Sequence, residues 1–114
     1  MAYDRELADR VREELAGRRD VVEKTMFGGQ AFLIQGNLAC TASSHGGLML
    51  RVDPTTAVSL LEDPHAERVV MRGREMAGWL RIAPDGVASD GDLTRWVAVG
   101  VARALALPWK SPKK

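Results

Sequence analysis

Apolar residues recur every four positions near the start of the chain, at Leu7, Val11 and Leu15, with charged residues between them. An α-helix makes one turn in about 3.6 residues, so this spacing places the three side chains on one side of a helix. The sequence therefore predicts an amphipathic helix from about Asp4 to Ala16. Gly17 follows it, and glycine is typical of the residue just past a helix C-terminus.

From Val21 onward the pattern changes to short apolar segments separated by glycine. Four of these segments are predicted to be strands: Val21–Phe27, Gln30–Gln35, Leu38–Ala42 and Leu48–Val52. Gly28–Gly29 and Gly36–Asn37 are suited to tight turns between the first three. Parallel neighbours need a long crossover, so strands joined this closely are predicted to form an antiparallel meander.

The second half of the chain contains two helix signals and two more strands. Asp53–Pro54 is typical of a helix start, because Asp caps free N–H groups and Pro fits the first helical position. That helix is expected to stop at Asp63–Pro64. Strands are predicted at Arg68–Arg72 and Gly78–Ala83, and a last helix from about Asp90–Asp92 to Pro108.

The order of these elements indicates the fold class. Strands occur in runs and do not alternate with helices, which favours an α+β domain over a doubly wound parallel sheet. The prediction is one domain over residues 1–107, an antiparallel sheet with flanking helices in the order α-β-β-β-(β)-α-β-β-α. Residues 108–114 are expected to form a mobile basic tail.

The charge balance argues against strong nonspecific nucleic-acid binding, and the single cysteine excludes an intramolecular disulfide. Sixteen Lys and Arg against fifteen Asp and Glu give a formal charge of +1, whereas proteins that contact many phosphates usually carry a basic excess. Cys40 has no disulfide partner. The chain has no signal-peptide pattern and no long apolar run, so a cytoplasmic location and no membrane contact are expected.

Residues with catalytic or ligand chemistry are sparse. His45 and His65 lack neighbours at metal-ligand spacing, and Ser44–His45 is typical of a surface turn. Cys40 alternates with Leu38 and Ala42 and is expected to share a buried strand face with them. The glycine pairs match no phosphate-binding motif. We therefore expect no catalytic residue, no cofactor and no metal.

One candidate surface follows from strand alternation. Met49 and Arg51 oppose the apolar face of one strand, and Trp79 and Arg81 oppose that of another. If the two faces coincide, the sheet presents Met, Trp and two Arg, residue types enriched at protein interfaces. The alternative is that Trp79 packs under a helix while the arginines extend over apolar neighbours.

Several segments together resemble one known family. They are Lys24–Phe32 with Gly36–Asn37 close behind, Leu48–Val52, Gly73–Trp79, and Asp92–Leu93 with Trp96. In their order and spacing they are similar to the N-terminal domain of TfoX/Sxy-type competence regulators, over nearly the whole chain to about Leu107. In the full-length regulators a second, helical domain follows this one. The resemblance covers the N-terminal domain alone, so we expect a stand-alone N-terminal domain that lacks the helical one. It also implies an antiparallel sheet with flanking helices and no established enzymatic activity.

These observations leave three hypotheses about function. The first is a non-enzymatic interaction or regulatory module that binds another protein or its own copy through Met49, Arg51, Trp79 and Arg81. The second is a nucleic-acid-binding accessory protein in transcription regulation, supported by the arginines and the basic tail. The third is a small-molecule-binding protein or an enzyme, for which the sequence nominates no residues.

Overall fold

A computed structural model describes the chain over residues 4–26, 28–43, 46–71 and 73–108. Within these ranges it contains helices and strands in the predicted order of helix, four strands, helix, two strands, helix. Their bounds are α1 Arg5–Glu14, β1 Val21–Met26, β2 Gly29–Ile34, β3 Asn37–Ala42, β4 Leu48–Arg51, α2 Pro54–Leu60, β5 Ala66–Met71, β6 Arg74–Ile82 and α3 Asp90–Ala106. The α+β class and the fourth strand of the first run are confirmed.

All six strands form one antiparallel sheet in the order β1-β2-β3-β4-β6-β5. The first four strands are a meander, as predicted. The chain then leaves the sheet for α2 and returns as β5 at the far edge, and β6 fills the position between β5 and β4. Two strands that are distant in sequence, β4 and β6, are thereby made neighbours near the centre of the sheet.

The main core lies between the helices and one face of this sheet. Leu50 and Leu80 are fully buried on that face and belong to one apolar cluster with the buried side chains of α1, α2 and α3. α3 comes so close that Gly100 lies against the carbonyl oxygen of Ala39. Burial of each large apolar side chain contributes about 1.5–3 kcal/mol, so this layer is the main source of stability.

Each of the α-helices α1, α2 and α3 begins at a side-chain cap. Asp4 accepts a hydrogen bond from the backbone N–H of Leu7, and Asp53 accepts one from that of Thr55. The cap of α3 is Ser89, which accepts from the N–H of Asp92. A Ser before two acidic residues suits the positive end of the helix dipole, so the start predicted at Asp90 is confirmed to within a residue.

Two local predictions about β3 are wrong by one residue. The turn before it is formed by Gln35 and Gly36, both with positive φ (54° and 83°), and not by Gly36–Asn37. Leu38 does not share a face with Cys40, because the register shifts between β2 and β3 and leaves Ala39 as an extra residue. Cys40 is buried in the main core as expected, whereas Leu38 is buried outside it.

Some predicted features lie outside the described residues. These are Phe27 at the end of the first predicted strand, the Ser44–His45 pair, Arg72, and the basic tail beyond Pro108. Among the helices that the structure describes, none is both long enough and apolar enough to cross a membrane.

Candidate functional site

The four candidate surface residues lie on the two strands that the topology makes neighbours. Met49 pairs directly with Arg81, and Arg51 pairs directly with Trp79, across β4 and β6. Directly paired residues of antiparallel strands project to the same face of the sheet. The predicted coincidence of the two strand faces is therefore confirmed. We refer to the surface formed by these four residues as the arginine face.

The arginine face is turned away from the helices. Leu48 and Leu50 alternate with Met49 and Arg51 along β4, and both leucines belong to the helix-packed core, whereas Met49 does not. The buried apolar side chains of α1, α2 and α3 belong to that same core. The described helices therefore pack on the other side of the sheet, and the alternative in which Trp79 lies under one of them is wrong.

Exposure differs among the four residues. Arg51, Trp79 and Arg81 are half-buried, so each presents part of its side chain to solvent. Met49 is only 3% exposed, and the expectation that it is displayed at the surface is corrected. It pairs with Thr41 on one side and with Arg81 on the other, so it supports the arginine face from within.

Arg51 is held by an aromatic ring. Its guanidinium carbon lies 5.7 Å from the centre of the Trp79 ring, within the range of a cation–π interaction. The attraction arises because the negative face of the indole meets the delocalised positive charge. Among the described residues, the Trp79 ring and not a carboxylate orients this guanidinium.

The half-buried arginines of the described residues divide into two groups. Three of them form ion pairs: Arg10 with Asp90 at 3.2 Å, Arg68 with Glu75 at 3.7 Å and Arg103 with Asp53 at 3.8 Å. The other two are Arg51 and Arg81, and neither has a carboxylate within ion-pairing distance among the residues that the structure describes. Both unpaired cations therefore lie on the arginine face.

Two polar atoms, one in the arginine face and one beside it, are buried without a hydrogen-bond partner among the described residues. They are Nε of Arg81 and Oγ1 of Thr41. Thr41 pairs with Met49, which pairs with Arg81, so the three residues form one row across the sheet. A buried polar group without a partner costs on the order of 1–3 kcal/mol. No side chain or backbone group among the residues that the structure describes forms a hydrogen bond with either atom.

The sequence did not single out Thr41. It also did not predict that Arg51 and Arg81 lack ion pairs among the described residues. Thr41 lies between Cys40 and Ala42, and nothing in that local pattern distinguishes it from an ordinary strand residue. Its role becomes visible only through the strand register. Likewise, Glu67 pairs with Arg81 across β5 and β6, yet no ion pair joins them. Sequence spacing does not reveal which arginines find a carboxylate.

The residues considered for catalysis or metal binding are placed as follows. The Nδ1 atom of His65 lies 3.4 Å from Asp63, whose carboxylate also accepts from the backbone N–H of His65 and from Arg95. These hydrogen bonds, first that of the His65 backbone, lower the pKa of Asp63. Burial raises the pKa of the Cys40 thiol to about 12. Among the described residues, no group of three or more His, Cys, Asp or Glu is placed to hold a metal ion.

A groove of about 420 Å³ lies between the end of α1 and the edge strand β1, with Leu15 and Phe32 among the residues that line it. Arg12 and Glu23 also line it and bind each other through two hydrogen bonds of 2.7 Å. That contact lowers the pKa of Glu23. A general acid working near neutral pH needs a raised pKa, so the groove presents a satisfied ion pair and no acid catalyst among its described residues.

Comparison with known proteins identifies a family for this fold. The family model described as the TfoX N-terminal domain matches residues 13–104. Neither a curated protein nor a solved structure shows a significant match to the chain.

Proposed function

Since the chain belongs to the TfoX N-terminal domain family, we propose that it is a non-enzymatic regulatory module that binds another protein through its arginine face. The observation that carries this proposal is the pair of half-buried arginines on one face, Arg51 and Arg81, with Trp79 beside them and no ion pair to any carboxylate of the described residues. Tryptophan and arginine are the residues that most often dominate the energy of protein interfaces.

The physical argument concerns what a partner adds. An arginine that is half removed from water has lost part of its hydration, and Arg51 and Arg81 have no carboxylate within ion-pairing distance among the described residues to compensate that loss. A partner that supplies an acceptor forms a charge-assisted hydrogen bond, roughly twice as strong as a neutral one. A partner at this face therefore compensates the hydration free energy that these arginines lose on folding. Binding at the ion-paired Arg10 or Arg103 would instead compete with an existing contact.

A protein partner fits this face better than nucleic acid. The net charge of the chain is +1, and binding along a phosphate backbone usually draws on many basic residues. Single-strand platforms stack successive bases on several aromatic rings, whereas Trp79 is the one aromatic residue of the arginine face.

A second copy of the chain fits less well than a different protein. In a two-fold symmetric dimer through this face, Arg51 and Arg81 of one copy would oppose the same arginines of the other. Like charges brought together at an interface cost free energy. Self-association through the arginine face is therefore disfavoured, and a partner with acidic groups is favoured.

The test is affinity capture of partners from native lysate, with and without nuclease, followed by mass spectrometry. The full chain is compared with Trp79→Ala and Arg51→Ala, and with Val58→Ser as a matched control. Val58 is an exposed apolar residue of α2 on the helix side. We expect to capture a protein that stays bound after nuclease treatment. Its binding should be lost with both arginine-face variants and retained with Val58→Ser.

Three results would contradict the proposal. A protein that binds Trp79→Ala and Arg51→Ala normally would place the interface elsewhere. A set of proteins that disappears with nuclease would make nucleic acid the ligand. Recovery of the chain alone, with every variant and both treatments, would exclude a stable protein partner in that lysate.

A further inference from the structure

We infer that the partner segment bound by the arginine face is an extended acidic peptide with two carboxylates two residues apart, Asp/Glu-x-Asp/Glu, one for each arginine. This inference rests on the proposed function and specifies the chemistry of the partner. It follows from the register of β4 and β6, from the charges on the face and from the position of Trp79.

The register places the two arginines at a defined spacing. Met49 and Arg81 form one direct pair, and Arg51 and Trp79 form the next pair along the same strands on that face. The arginines therefore occupy one diagonal of a four-residue square. Diagonal neighbours in an antiparallel pair are about 7–8 Å apart.

An extended segment presents carboxylates at a matching spacing. Successive residues of a strand advance about 3.3 Å and point to opposite sides, so residues two apart lie about 6.6 Å apart on the same side. A segment lying along this diagonal can thus place one carboxylate on Arg51 and the next on Arg81. Adjacent acidic residues in an extended segment would point to opposite sides and leave one arginine unbound.

Trp79 prepares one of the two contacts. It holds the guanidinium of Arg51 over its ring at 5.7 Å, and a planar guanidinium held in place loses less freedom when it binds a carboxylate. Arg81 is anchored differently, since its Nε is buried in the side-chain layer of the sheet. Both cations are therefore positioned before the partner arrives.

Glu67 limits the length of the acidic stretch. It is exposed and lies directly opposite Arg81 on the edge strand β5, at the end of the same row. A partner whose negative charge continues beyond Arg81 meets this carboxylate and is repelled. The arrangement favours two charges over a continuous run, and this distinguishes a short acidic motif from a polyphosphate chain.

The test is an NMR titration of the full chain with capped peptides of Ser and Gly that contain a central Glu-Ser-Glu. The signals followed are the Nε–H groups of Arg51 and Arg81 and the indole N–H of Trp79. Control peptides carry Gln-Ser-Gln, which has no charge, or Glu-Glu-Ser, which has the same charge at the wrong spacing. A single-stranded oligonucleotide of eight thymidines is the nucleic-acid control.

We expect the Glu-Ser-Glu peptide to shift all three signals and to bind about tenfold more tightly than Gln-Ser-Gln, because the neutral peptide forms no charge-assisted hydrogen bond with either arginine. Glu-Glu-Ser should bind more weakly than Glu-Ser-Glu. Arg51→Gln and Arg81→Gln should each abolish the preference, and Arg19→Gln, an exposed arginine outside the face, should not change it. Glu67→Gln should strengthen binding, because it removes a repelling charge.

Equal affinity for the three peptides would overturn the inference, as would binding that Arg51→Gln and Arg81→Gln leave unchanged. Tighter binding of the oligonucleotide than of Glu-Ser-Glu would show that the ligand of the arginine face is nucleic acid and not an acidic peptide. A protein captured in a Trp79-dependent way, together with no binding of Glu-Ser-Glu, would overturn this inference alone and leave the proposed function standing. Binding of Glu-Ser-Glu with no captured protein would overturn the proposed protein partner, while it would still show that the arginine face binds two carboxylates at this spacing.

Discussion

Arg51 lies over the ring of Trp79, directly across from it on the neighbouring strand, with its guanidinium carbon 5.7 Å from the ring centre. The two residues are far apart in the sequence, and they meet because β6 is inserted between β4 and β5. The contact joins two neighbouring strands on the face of the sheet opposite the described helices. It holds a cation in a defined orientation at the surface, which is the property that a binding residue needs.

Trp79 and Trp96 should respond very differently to truncation. Trp96 is fully buried in the helix-packed core, so Trp96→Ala is expected to cost about 3–5 kcal/mol of unfolding free energy. Trp79 is half-buried and outside that core, and Trp79→Ala is expected to cost about 1–2 kcal/mol. Denaturant unfolding of both variants measures the difference. Equal losses would show that Trp79 is a core residue and not a surface one.

The approach of α3 to the sheet depends on the missing side chain of Gly100. A Cβ at this position would overlap the carbonyl oxygen of Ala39, so Gly100→Ala is expected to cost about 1–3 kcal/mol through overpacking. Gly91 lies in the same helix, and a Cβ there would meet open space among the described residues. Gly91→Ala should be neutral or stabilise the helix by up to about 1 kcal/mol. Thermal unfolding of the two variants is the measurement, and similar shifts for both would contradict the close approach.

Acid should remove the stabilisation that the Arg12–Glu23 pair provides. Hydrogen bonds from Arg12, first among the causes, lower the pKa of Glu23 below its ordinary value of 4.5. A carboxylate with a lowered pKa in the folded state contributes its stability fully above its ordinary pKa, and loses it as the pH falls through the folded-state pKa. Because both groups are partly exposed, the contribution is about 1 kcal/mol or less.

The variant Glu23→Gln measures this contribution. It should lower the free energy of unfolding at neutral pH and give a shallower loss of stability as the pH falls below the ordinary pKa of a carboxyl group, about 4. Glu62→Gln is the control, since Glu62 is exposed and has no ion pair among the described residues. An unchanged pH profile in Glu23→Gln would show that the pair contributes nothing to stability.

The thiol of Cys40 should be unreactive in the folded protein. It is fully buried, and burial raises its pKa to about 12, so the reactive thiolate is scarce at neutral pH. A thiol reagent at mildly alkaline pH should label the chain only in denaturant. Rapid labelling of the native protein would contradict the burial of β3 beneath α3.

Local signals in the sequence were sufficient for much of the fold. Asp53–Pro54 predicted the start of α2, because a cap and a proline act through their own neighbours and do not depend on distant residues. Short glycine turns predicted the meander for the same reason. The spacing of Leu7 and Val11 predicted the buried side of α1.

The errors concern features that depend on the partner strand. The extra residue Ala39 turned Leu38 to the opposite face, and no pattern within β3 marks that shift. Burial of Met49 depends on the side chains of its neighbours in the sheet. Arg51 and Arg81 lack an ion pair among the described residues because of where the carboxylates of other elements lie. These properties arise from tertiary structure, so they cannot be predicted from the periodicity of the sequence.

The arginine face is proposed as the surface that meets a partner protein, and photo-crosslinking in the native cell tests this most directly. A benzoylphenylalanine is placed at Glu67, which borders Arg81 and leaves Arg51, Trp79 and Arg81 intact. The same group at Val58, on the helix side, is the control. We expect a discrete protein adduct from position 67 that is lost with Arg51→Ala, and none from position 58. An adduct from position 58 alone, or one from position 67 that Arg51→Ala leaves unchanged, would contradict it.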